Sequence, residues 1–299
     1  MKIVNISGGL GNQMFHYAFA LSLKQKFPEE EVLVDTSHMN YIFLKKYKTA
    51  NLHNGYELNK IFHNLSLKSA SFCQLIKVTW YIPNFVLSRI GRKYLPKRKT
   101  EYIQKKEEYF TYAGEAYNQS GNVYYEGYWE SVSNYVSLRD VLRKEFSHPI
   151  PDSKNAKIIE ELKLTNSVGI HVRRGDYLET KAFKGICELD YYVRAIEYIL
   201  KDGKPHKFFI FSNDIEWCEK NLKPLMGSNE VEFVTNNSGK KSSWDMFLMT
   251  YCKDLIIANS SFSWWGAFLN SREGRVVTPE KWMNRDVDFD LWLPEWERI

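Results

Sequence analysis

Cysteine is sparse in this chain: Cys73, Cys187, Cys218 and Cys252 stand far apart and form no close pair. That excludes a disulfide-stapled scaffold and the paired spacing of a structural zinc site, and it fits free thiols in a reduced compartment. No apolar run approaches the roughly 20 residues that a membrane-spanning helix needs. The run Ile3 to Ser7 is too short for the core of a secretion signal, so a cytoplasmic protein is expected. There is no P-loop and no nucleophile elbow. An Asp-x-Asp pair at the end of a sheet strand is also missing. Asp286-Val-Asp288-Phe-Asp290 occurs, but in a stretch near the terminus with nothing convergent around it. No metal is therefore assigned.

Acidic residues are absent from Leu58 to Thr100, where nine bases stand: Lys60, Lys68, Lys77, Arg89, Arg92, Lys93, Lys97, Arg98 and Lys99. Phe72, Trp80, Tyr81, Phe85 and several aliphatic residues lie between them. A basic, aromatic-rich segment reads as contact with an anionic membrane surface or an acidic ligand. Nucleic acid would leave a similar trace, but no nucleic-acid motif accompanies this one. An insertion that folds its apolar side onto the first domain fits the same residues.

The composition is otherwise globular, with 44% apolar and 26% charged residues, a net charge of +5, nine tryptophans and 19 tyrosines. A chain of 299 residues holds one large or two medium domains, each with its own core. The aromatic load suits stacking on sugars or bases, although aromatic rings also fill cores.

The chain is organised around Ser167-Val-Gly-Ile-His171-Val-Arg173-Arg174-Gly-Asp176-Tyr177. Val168, Ile170 and Val172 alternate with Gly169, His171 and Arg173, the period of two that marks a strand. One face is expected to pack while the other carries His171 and Arg173 to the strand's C-terminal edge. Ligands of open α/β sheets bind beyond those edges, which puts the guanidiniums where a diphosphate would sit. A surface strand end with a structural Arg–Asp pair fits the same residues.

Before it, Lys2 to Ser7 reads as a strand, Gly8-Gly-Leu-Gly11-Asn12-Gln13 as a glycine turn and Met14 to Phe27 as a helix. The glycine spacing fits neither a dinucleotide fingerprint nor a Walker loop. The turn is either structural or a ligand loop, with Asn12 and Gln13 able to donate to hydroxyls or phosphate. Glu31 to Asp35 is a second strand, whose Asp35 is more simply a cap than a site residue. Tyr124 to Gly127 reads as another strand, followed by Tyr128, Trp129 and Glu130. Rings beside a carboxylate can grip a sugar, the ring covering C–H groups and the carboxylate accepting hydroxyl protons. A helix from Asn134 to Phe146 ends at Pro149 and Pro151, which places the domain boundary there and gives domains 1–150 and 151–299.

The second half alternates strands with helices of about ten residues, the pattern of a mostly parallel α/β sheet. Its other marked step is Ala258-Asn-Ser260-Ser261-Phe262, a strand passing through a serine cap into a helix. Free N–H groups at a helix start, with two hydroxyls, suit a phosphate, but serine also caps helices that bind nothing.

His171-Val-Arg-Arg-Gly-Asp176-Tyr resembles the HxRRxD motif of the α-1,2-fucosyltransferases, glycosyltransferase family 11, and is similar to the arginine motif of the α-1,6- and protein O-fucosyltransferases. Gly8-Gly-Leu-Gly-Asn-Gln13 resembles the N-terminal block of that family, which lies at the cleft between its domains. Ser260-Ser-Phe-Ser-Trp-Trp-Gly266 resembles a signature lining the donor site, and Trp244-Asp245 with Cys252 and Asp254 resembles the segment before it. Tyr128-Trp129-Glu130 resembles the acceptor neighbourhood, with Trp129-Glu130 where Trp/Phe-Gln is usual. The likeness runs over nearly the whole chain. It implies a GT-B-like α/β fold of two Rossmann-like domains facing a cleft. It also implies inverting transfer of L-fucose from GDP-β-L-fucose to the 2-hydroxyl of a β-galactoside ending an oligosaccharide or glycolipid. No cofactor is implied beyond the GDP-fucose donor. Lacking the anchor expected of a Golgi member, the chain reads as a bacterial cytoplasmic enzyme of O-antigen type that touches the inner membrane face through 58–100.

Displacement at an activated anomeric carbon needs neutralisation of the leaving diphosphate and a base for the attacking hydroxyl. Arg173 is the candidate for the first, since a guanidinium binds phosphate through a fixed fork. Arg174 either shares that task or braces Asp176. His171 and Asp176 both stand as base or orienter. Gly11, Asn12, Gln13, Ser260, Ser261 and Phe262 are expected at the donor. Asp245 either hydrogen-bonds the guanine edge or caps its helix. Two alternatives remain, a fucosyltransferase of another linkage and a non-catalytic sugar- or nucleotide-binding module.

Overall fold

The computed structural model describes residues 1–39, 55–80, 91 and 94–299 and, within them, all side chains but those of His38, Asp176 and Lys240. The chain forms two compact units, Met1–Pro149 with Val287–Trp292, and Ile150–Asp286 with Leu293–Ile299. Residues 287–292, read from sequence as part of the second domain, therefore belong to the first. Asp290 holds them there: its N–H donates to the Phe110 carbonyl, its carbonyl accepts from Val132 N–H, and its carboxylate accepts from the Ser131 hydroxyl.

In unit 1, five parallel strands run in the order β3-β2-β1-β5-β4. They are β1 (Lys2–Asn5), β2 (Val32–Asp35), β3 (Lys68–Ser69), β4 (Glu101–Ile103) and β5 (Val123–Glu126). β1 is central and wholly buried, as expected of a parallel strand covered on both faces. Helix α1 (Leu10–Lys26) returns from its end. Asp35 caps the following turn, accepting from Ser37 N–H at 2.9 Å and from the Tyr124 hydroxyl at 2.7 Å.

Of the stretch 58–100, residues 58–80 fold apolar side chains onto the first unit, one of the outcomes expected from the sequence. They supply edge strand β3 and helix α2 (Phe72–Val78), whose Leu75 and Val78 pack on Ile3, Leu33 and Tyr124. A two-residue strand and a seven-residue helix are too short for periodicity to reveal. Arg98 ties the return of the chain to α2, donating to the carbonyls of Ile76, Lys77 and Thr79. Tyr81, Phe85, Arg89, Arg92 and Lys93 lie outside the described residues.

The sheet of unit 2 is also parallel, six strands in the order β11-β10-β9-β6-β7-β8. They are β6 (Ser167–Val172), β7 (Lys207–Ser212), β8 (Glu230–Phe233), β9 (Asp254–Ile256), β10 (Val276–Thr278) and β11 (Glu297–Arg298). Helices α3 (Ser153–Leu164), α4 (Leu189–Leu200), α5 (Ile215–Asn221), α6 (Ser243–Met249) and α7 (Ser261–Leu269) connect them. Each unit is Rossmann-like, and together they give a GT-B-like fold. All six residues of β6 are buried, so its His171 face is not the open one expected from the alternation. Gly169 shows why no side chain fits there: a Cβ would lie 2.6 Å from Cys252 Sγ and 2.8 Å from Leu255 Cδ2.

Candidate active site

The two marked stretches of unit 2 end side by side. β6 and β9 are neighbouring parallel strands with Ile170 opposite Ile256, so the residues past their ends leave the sheet together. Arg173 is half-buried one residue beyond β6, its guanidinium 5.5 Å over the Tyr177 ring. α7 opens beyond β9 with Ser260 at its cap position, and Ser260 makes no side-chain capping bond. The Ser263 hydroxyl turns back to the Ala258 and Ser260 carbonyls instead. A helix start of this kind carries a partial positive charge. Phe262 reaches across, its ring 5.7 Å from that of His171.

His171 is buried, and its pKa falls to about 3, first through burial and then through the Arg173 charge. It is neutral at neutral pH and a poor proton acceptor. Arg174 has partners that the sequence did not suggest. Its Nε donates to Asp214 at 3.1 Å, Glu188 lies 3.9 Å from its Nη1, and its guanidinium sits 4.1 Å over Trp217. Two carboxylates and an indole hold it as a brace of the strand-end loop. Gly175 turns the chain with φ +64, where a Cβ would also meet Asn213 at 3.1 Å. Asp176 opens a single helical turn, but its side chain lies outside the described set.

Asp245, on the first turn of α6, accepts from the Asn237 amide at 2.9 Å, and burial pushes its pKa up to about 7. Asn237 in turn donates to Asn155, whose N–H bonds the Asp152 cap of α3. Nothing in the sequence pattern had marked Asn155 or Asn237, because their link to Asp245 is purely tertiary.

In unit 1 the glycine turn is shorter than expected. α1 already begins at Leu10, so Gly11, Asn12 and Gln13 are helical and only 7–9 form the bend. Gln13 is not a ligand donor. Its fully buried amide donates to the Gly8 and Gly55 carbonyls at 3.0 and 2.8 Å and accepts from Glu57 N–H at 2.9 Å. Gly8 has φ +77 and packs on Asn12, so a Cβ there would be both strained and crowded.

The aromatic turn after β5 splits its three candidates. Tyr128 is exposed, with Tyr109 at 4.7 Å between ring centroids. Trp129 is core, stacked on Phe19 at 3.9 Å, with a left-handed backbone of φ 58. It faces no solvent and so cannot be an acceptor platform. Glu130 is buried as well, its pKa pushed up to about 8 by desolvation. The turn is over-determined, for Gln104 Oε1 accepts from both Tyr128 N–H and Trp129 N–H at 2.9 and 3.2 Å. Sequence reading missed Gln104 and also His16, a lone histidine inside an apolar helix that carries no local signal.

Among the described residues no three His, Cys, Asp or Glu side chains converge as a metal site requires, and no helix is long and apolar enough to cross a membrane. Arg173 and the start of α7 thus stand at adjacent parallel strand ends of a Rossmann-like unit, the edge at which open α/β sheets bind their ligands. The chain belongs to glycosyl transferase family 11, whose sequence profile matches residues 1–299. An α-1,2-colitosyltransferase of Escherichia coli is 33% identical, covering 99% of this chain and 98% of its own. The O-antigen biosynthesis glycosyltransferase WbnK of E. coli is 31% identical, covering 97% and 98%. The fold is similar to that of the fucosyltransferase NodZ from Bradyrhizobium, with TM-score 0.51 and 16% identity over 90% of this chain and 91% of that one.

Proposed function

We propose that the protein transfers L-fucose from GDP-β-L-fucose, with inversion, to the 2-hydroxyl of a terminal β-galactoside. The observation that carries this is the placement of Arg173 and the start of α7 at the ends of neighbouring parallel strands. The acceptor oxygen attacks the anomeric carbon as its bond to the β-phosphate oxygen breaks. The electron pair of that bond leaves with GDP, where Arg173 and the α7 N–H groups receive the charge. The acceptor proton goes to a carboxylate. Asp176 takes that role in preference to His171, whose lowered pKa makes it an orienter. Ser260, Ser261, Phe262, Gly11 and Asn12 are the further donor contacts, Asp245 meets the guanine edge, and Tyr128 is the acceptor ring. The 2-hydroxyl target is supported by the α-1,2 specificity named for the 33% relative. That relative also favours a second reading, in which the donor sugar is colitose. Cytoplasmic placement with contact to an anionic membrane belongs to the same proposal. It is supported by the exposed Phe72, Ile76 and Trp80 within the acid-free stretch.

The test is turnover of GDP-fucose and GDP-colitose with a β-galactoside acceptor, with the product linkage determined by NMR and rates repeated after exhaustive EDTA treatment. The expected result is α-1,2-fucosylation at an unchanged rate. Preference for GDP-colitose selects the second reading, another linkage overturns the 2-hydroxyl, and a loss restored by manganese overturns metal independence. No turnover of any sugar nucleotide leaves a binding module.

A further inference from the structure

The ends of β1 and β5 in unit 1 are joined by a side chain outside both loops. β1 and β5 are neighbouring parallel strands with Val4 opposite Tyr125, so the Ser7–Gly9 bend and the Gly127–Glu130 turn leave the sheet together. His16, on the second turn of α1, is fully buried beneath them. Its Nδ1 accepts from Ser7 N–H at 3.1 Å, and its ring edge meets the Tyr128 ring at 6.2 Å. Nε2 is buried without a hydrogen-bond partner among the described residues, in a structure where such atoms are few. An interaction with the Gly127 backbone only partly offsets the burial that takes its pKa down to about 3. The imidazole is therefore neutral near pH 7, with Nδ1 an acceptor toward one loop and, by that tautomer, Nε2–H a donor on the side of the Gly127 backbone in the other.

We propose that His16 is a positioning residue that locks the glycine bend to the aromatic turn, so that Tyr128 is presented to the acceptor sugar at a set height. Core packing alone would not place one ring nitrogen on the Ser7 N–H and the ring edge against an exposed tyrosine. The turn it supports is already strained at Trp129, and strain of that kind persists where the surroundings over-determine the backbone. The inference rests on the reading of Tyr128 as the acceptor ring.

The experiment is a double-mutant cycle of His16→Asn and Tyr128→Ala, with acceptor KM, donor KM and kcat measured beside thermal unfolding. Asn can still accept from Ser7 N–H but loses the ring edge. The expected result is an acceptor KM raised about fivefold or more in each single variant, with donor KM within about twofold. The double variant should be no worse than Tyr128→Ala, the non-additivity expected of residues that act as a unit. Additive losses would overturn the inference. So would a fall in kcat at unchanged KM that tracks the folded fraction, which marks a merely structural histidine. A wild-type KM for His16→Asn beside a raised KM for Tyr128→Ala rejects His16 alone. An unchanged KM for Tyr128→Ala rejects the acceptor reading, and this inference with it.

Discussion

Glu130 carries a proton where most carboxyls do not. Burial holds its pKa at about 8, against an ordinary value of 4.5. Below pH 4.5 both folded and unfolded chains are protonated there, so the group leaves stability intact. As pH rises toward 8 the unfolded chain ionises first, and stability falls by at most ~1.4 kcal/mol per pH unit, levelling off above the folded value. Glu130→Gln keeps the shape and removes the titration. Its advantage in Tm over wild type should grow from pH 5 to pH 8, and parallel Tm curves would show the carboxyl to be solvated. Arg173 is the other residue with a sharp expectation. Arg173→Ala should lower kcat about 100-fold or more, the scale of one lost oxyanion donor, and weaken donor binding less. Arg173→Lys should rescue little, because a point charge lacks the fork. Normal turnover in a folded Arg173→Ala, judged by circular dichroism, would make the arginine structural.

At the scale of elements, β6 is the strand on which the site depends, and its tolerance is set by what packs beside it. Gly169 faces Cys252 Sγ and Leu255 Cδ2 at distances that no Cβ can share. Gly169→Ala should therefore cost about 1–3 kcal/mol through overpacking, read as a lower urea midpoint. A variant as stable as wild type would mean that Cys252 moves aside freely. The alternation of Val168, Ile170 and Val172 correctly marked a strand, but the same alternation suggested an open face. Neighbours β7 and β9, with helices above and below, close that face. Only the residues past Val172 reach the edge. In α1 the helix began four residues earlier than the Met14 expected. The Gln13 side chain is occupied by the carbonyls of Gly8 and Gly55, and residue 55 is too distant for any local pattern to suggest.

For the whole molecule, the acid-free stretch from Leu58 to Thr100 gives the surface prediction. Phe72 and Ile76 lie one turn apart on α2 and are 48% and 42% exposed, with Trp80 just beyond. Lys68 and Lys77 stand beside them, also exposed. Binding to vesicles containing phosphatidylserine should exceed binding to neutral vesicles and fall as salt rises from 0.05 to 0.5 M (about a threefold shorter Debye length). Equal binding to both vesicle types at low salt would remove the membrane from the account.

The sequence by itself determined the alternating α/β layout, the strand that ends in His171-Val-Arg-Arg, and the serine step into α7. Each rests on local physics: side-chain periodicity, helix capping and the placement of charge at strand ends. Tertiary structure decided which of the marked residues are buried or held by partners elsewhere in the chain. Trp129 went to the core because Phe19 lies flat against it, and Arg174 was claimed by Asp214 and Glu188 from other parts of the chain. His171 lost its basicity through burial beside Arg173. Residues 287–292 returned to the first unit through Phe110, Ser131 and Val132. Burial and long-range partners are set by the packing of distant segments, so they are absent from any window of sequence, whereas Arg173 and the start of α7 are brought together by a register that parallel neighbours share.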